Sequence, residues 1–160
     1  MDQNSDAAFA ALIKAEFGGF QEFHLLLQQE QGALIKGEAD QLLRLAALKS
    51  ELIEKLAGLS AQRSLYISAA GCENNSSGVA AYLDSIKAQT ETRELWSKLL
   101  DLARDVDQIN STNGILIDTH LRHNQQTLSV LQSAANPSSS LYGPNGQISG
   151  SASGRRLDKA

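Results

Sequence analysis

The sequence predicts an all-α protein: an elongated antiparallel helical bundle of about three long helices plus a short helical segment, followed by a flexible C-terminal tail. Three observations predict it. Strong helix formers (Ala, Leu, Gln, Glu, Lys) dominate as far as about residue 135. The two prolines stand at positions 137 and 144. Up to about residue 135 apolar residues recur at alternating three- and four-residue steps, the spacing of one helical face. At 160 residues the chain has the size of one domain, divided by composition into a helical bundle domain, 1–136, and a Ser/Gly-rich tail, 137–160.

A first helix is expected over about 6–36, where Ile13, Phe17, Phe20, His24, Leu27, Gln31 and Leu34 share a face that Phe9, Leu12, Phe23 and Leu26 widen. So broad a stripe asks for more than one partner helix. Asn4, Ser5 and Asp6 are its candidate N-caps. Lys36-Gly37 followed by Glu38 and Asp40 reads as a helix end and a new start. The second helix, about 39–70, puts Leu42, Leu45, Leu52, Leu56, Leu59 and Tyr66 on one seam, with Lys49 and Arg63 also falling there. Their stems are expected to pack while the charges stay in water. Asp40 with Arg44 and Glu51 with Lys55 have the four-residue acid-to-base spacing of helix ion pairs.

Residues 71–78, Gly-Cys-Glu-Asn-Asn-Ser-Ser-Gly, are loop chemistry. A short helical piece follows at about 78–88, and its join to the next helix is open. The long helix, about 90–135, carries Leu95, Leu102, Ile109 and Leu116 at seven-residue spacing, then Ile117, Leu121, Leu128 and Leu131. Its extent of about 65–70 Å would let it pack along both earlier helices. Asn113 falls on the seam: buried, its amide would fix register; half-exposed, it would pair with water. Gly114 costs about 1 kcal/mol against Ala there and marks a bend or a close helix approach.

The formal charge of −4 is divided unevenly, with +2 on residues 137–160 and −6 on the remainder. An acidic body argues against nucleic acid, and the absence of a long apolar run argues against membrane insertion. The polar N-terminus lacks the pattern of a secretory signal, so a cytoplasmic location is expected. A single cysteine, Cys72, beside Glu73, has no cation in sequence to favour its thiolate. His120 and His123 stand three apart on one helix, but no Glu sits three before a His as in di-metal bundles. Trp96 and Tyr82 suit packing better than a binding platform. No catalytic, metal-binding or cofactor-binding residue is expected, and no cofactor.

Three stretches, Gly37-x-x-Asp40-x-Leu42, Asn110-x-x-Asn113-Gly114-x-Leu116-Ile117 and Leu141-Tyr142-Gly143-Pro144-x-Gly146, resemble the FlgN family of flagellar export chaperones in order and spacing. The resemblance covers nearly the whole chain. It implies a non-enzymatic chaperone that binds flagellar hook-associated (hook–filament junction) proteins, prevents their premature assembly and delivers them to the flagellar type III export apparatus. It also implies that the C-terminal part grips the substrate, here residues of about 120–160, with Leu121, Leu128, Val130, Leu131, Leu141, Tyr142 and Ile148 as apolar contacts. Two other classes compete: a coiled-coil scaffold acting through homo-oligomer formation, and a helical-bundle enzyme or metal carrier resting on His120 and His123.

Overall fold

The computed structural model describes residues 3–135, which form four helices: α1 (Gln3–Lys36), α2 (Ala39–Ala69), α3 (Ser76–Ser85) and α4 (Thr90–Ala135). No strand occurs among the described residues. Contacts divide the chain between Ile117 and Asp118 into two units, and α4 crosses that boundary as one helix.

The ends of α1, α2 and α3 follow local chemistry. The start of α1 at Gln3 makes Asn4, Ser5 and Asp6 first-turn residues, not caps as their side-chain type suggests. The α1 terminus is a left-handed glycine stop: Gly37 takes φ +70°, Glu38 N–H donates to the Ala33 carbonyl at 3.0 Å, and Gly37 N–H to that of Leu34 at 3.2 Å. Gly71 repeats the device after α2 with φ +71°, Cys72 N–H donating to Ile67 and Gly71 N–H to Ser68. The short helix α3 begins two residues earlier than its sequence pattern suggests, because Asn75 caps it by accepting the Gly78 N–H at 2.7 Å. α3 does not run on into α4. Lys87 adopts φ +51° after it, and Arg93 closes the elbow by donating to the Leu83 and Ala88 carbonyls while pairing with Asp84.

Within residues 6–117, three apolar clusters lie in sequence along the helices. Near one end Phe9 and Ile13 of α1, Ile67 of α2, Val79, Tyr82 and Leu83 of α3, and Trp96 and Leu99 of α4 form the largest. Phe9 meets Tyr66 and Tyr82 edge-on, with ring centroids 5.5 and 4.7 Å apart. A middle cluster joins Phe23 and Leu27 to Val106, and a third joins Leu26 and Ala33 to Leu45. The antiparallel α1–α2 contact is close at Gly19, where a Cβ would lie 2.8 Å from Leu56 Cδ2. Gly114, by contrast, has open space around it, so the close approach expected there belongs to Gly19.

Candidate functional site

The two seam cations of α2 are paired, not solvated. Arg63 Nε donates to Glu16 of α1 at 2.9 Å, and Lys49 Nζ donates to both carboxylate oxygens of Glu30 at 3.1 and 2.9 Å. Glu16 and Glu30 are only 2 % and 6 % exposed. Both pairs span the same fourteen-residue interval, one on each helix, so they fix a single antiparallel register. Any slip would leave two buried carboxylates without a cation. Lys55 likewise reaches across to Glu22 of α1 at 2.8 Å, not along its own helix to Glu51.

Helix α4 is pinned to this hairpin by Asn113, which is fully buried. Its Nδ2 donates to the Leu27 carbonyl at 2.9 Å and to Glu30 at 2.8 Å, so one carboxylate joins all three long helices. Of the two roles open to Asn113, the structure shows the register-fixing one. Arg63 also lies over the Trp96 ring, 5.3 Å from its centroid, which ties α4 to the other charged pair. A cavity of about 330 Å³ sits beside these groups, lined by Phe20, Leu56 and Leu99 among others.

Both charge pairs are internal fastenings between α1 and α2. Cys72 is half-buried in the α2–α3 loop. His120 and His123 are exposed on α4, and among the described residues no three His, Cys, Asp or Glu side chains form a group that could hold a metal. No helix among them is long and apolar enough to cross a membrane. His24 lines a shallow groove of about 420 Å³ with Phe17, Leu25, Leu102, Asp101 and Asp105.

Leu25, Ile35, Leu43, Leu65 and Ile115 are exposed singly, whereas the second part of α4 exposes several apolar residues in succession. Every residue from Ile117 to Ala135 is exposed, so the expectation that α4 packs along its full length holds only as far as Leu116. Leu121, Leu128, Val130 and Leu131 are each more than half exposed. At about 100° per residue, Ile117, Leu121, Leu128 and Leu131 fall on one stripe, with Asn124 in its middle. Val130 lies roughly 140° around the helix from that stripe. The structure therefore brings three of the sequence-predicted contacts together, joins Ile117 to them and sets Val130 apart. Leu141, Tyr142 and Ile148 lie outside the described residues. The stripe is also almost free of charge: between Ile117 and Ala135 the only carboxylate and guanidinium, Asp118 and Arg122, pair with each other. That hydrogen bond holds the Asp118 carboxyl below its ordinary range and raises Arg122.

The sequence profile of the FlgN protein family matches residues 1–150. Among curated proteins, the flagella synthesis protein FlgN of Proteus mirabilis is 29 % identical over 126 residues, covering 76 % of this chain and 77 % of its own. That of Yersinia enterocolitica is 35 % identical over 92 residues, 48 % of this chain and 61 % of its own. The Salmonella typhimurium protein of the same name is 29 % identical over 122 residues, 76 % and 75 % of the two chains. No solved structure matches. With a family match over residues 1–150, nearly its whole length, the chain belongs to the FlgN family.

Proposed function

We propose that this chain is a cytoplasmic export chaperone that covers an apolar helical segment of flagellar hook-associated proteins, prevents their early assembly and hands them to the type III export apparatus. One observation carries the reading: a stripe of Ile117, Leu121, Leu128 and Leu131 left uncovered on a helix whose earlier turns bury Trp96, Leu99, Val106 and Asn113. Four large aliphatic side chains in water are a standing cost that docking against a second apolar face removes, about 1.5–3 kcal/mol for each fully buried side chain before association costs. The family's association with flagella synthesis supports the context.

The test is co-purification with hook-associated proteins of three forms: the full chain, a chain ending at Ala135, and the full chain carrying Leu128→Asp with Leu131→Asp. Capture by the full chain and loss in the double variant is the expected result. Loss on truncation as well would add residues beyond Ala135 to the binding segment. Undiminished capture by the double variant would remove the α4 stripe from the mechanism.

A further inference from the structure

Resting on the reading of the α4 stripe as the binding face, we infer that Asn124 is its specificity-determining residue. The stripe would then accept a largely uncharged amphipathic helix that carries one amide or hydroxyl side chain in the middle of its own apolar seam.

Ile117, Leu121, Asn124, Leu128 and Leu131 follow one another in steps of four, three, four and three, so the amide occupies a seam position between two leucines. All five are exposed. From Ile117 to Leu131 the seam runs about 21 Å, the length of four helical turns. A seam of leucines alone would cover any amphipathic helix, and the ion pairs that commonly select partners are missing here, since Asp118 and Arg122 are engaged with each other. The amide supplies the missing selectivity. Once a partner helix is docked, Asn124 is shut away from water and must find a donor or acceptor across the interface. A partner with a leucine opposite leaves the amide unsatisfied; a partner with Asn, Gln, Ser or Thr there does not. The same helix already uses this device eleven residues earlier, where Asn113 interrupts the buried seam and its Nδ2 donates to the Leu27 carbonyl and to Glu30.

The test titrates the full-length chain, Asn124→Leu and Leu128→Asp against two probes: a purified hook-associated protein, and a synthetic amphipathic peptide with leucine at every seam position. Circular dichroism first checks that each variant keeps its helicity, which substitution at these exposed positions should not disturb. The expected result is that Asn124→Leu binds the all-leucine peptide more tightly and lowers the preference for the hook-associated protein by about tenfold. Leu128→Asp should weaken binding to both. If Asn124→Leu leaves the preference within about twofold of the parent chain while Leu128→Asp abolishes binding, the specificity role is overturned and the binding face stands. If Leu128→Asp binds both probes undiminished, both are overturned.

Discussion

Replacing Arg63 by Met tests whether the buried charge pairs hold the hairpin as described. Arg63 Nε is 2.9 Å from Glu16, whose side chain is 3 % exposed, and the guanidinium also donates to Ser60 Oγ at 3.1 Å and lies over Trp96. Methionine keeps much of the apolar stem but strands the Glu16 carboxylate in the core. Breaking a buried pair by removing one partner costs about 3–5 kcal/mol, and loss of the contact with Trp96 adds about 0.5–1 kcal/mol. A total near 4 kcal/mol, with a urea dependence of about 2 kcal/mol per molar, lowers the unfolding midpoint by about 2 M. Trp96, the chain's single tryptophan, reports the transition by fluorescence from beside the substituted residue. The decisive comparison is the double variant Glu16→Gln with Arg63→Met, which removes the stranded charge and should recover about half of the loss. Equal midpoints for the single and double variants would refute a buried, paired Glu16.

Leu128→Asp and Leu131→Asp should each change unfolding free energy by no more than about 0.5 kcal/mol, because both leucines are exposed; a loss of several kcal/mol in urea titration would make them core residues. Gly78→Ala should destabilise by about 2–4 kcal/mol, read as a lower melting temperature, since a Cβ there would overlap the Glu73 carbonyl and disturb the Asn75 cap. The Asp118 carboxyl should titrate below the ordinary carboxylate range by NMR, and Arg122→Gln should return it there. By sign, the pairing favours the folded helix at neutral pH and is lost as pH falls through that lowered value; with both groups fully solvent-exposed, urea midpoints should not follow it.

The helices were legible in the sequence because their signals are local. Lys36-Gly37 marked the first turn, the Gly71–Gly78 stretch marked the second, and seven-residue apolar spacing to Leu116, continued by Ile117, Leu121, Leu128 and Leu131, marked α4. Placement of the charges was not legible in the same way, since whether Lys49 and Arg63 face water depends on what α1 sets opposite them. A signal did exist: Glu16 and Glu30 interrupt the apolar face of α1 at the same fourteen-residue interval that separates the two cations on α2. The candidate face was legible as a list of apolar residues, but hydrophobicity alone does not say which are covered. Leu99 and Leu128 look alike in sequence, yet Leu99 meets the core while Leu128 is exposed. Val130 was included because the family resemblance pointed to the apolar residues of the C-terminal part, and helical angle separates it from the others.

Hydrogen exchange across the whole chain, with and without a purified hook-associated protein, tests the central claim most directly. The account predicts new amide protection concentrated between Ile117 and Leu131, where a docked helix would cover backbone that now lies on an exposed stripe. Protection confined to α1, α2 or α3, with those α4 amides unchanged, would contradict it.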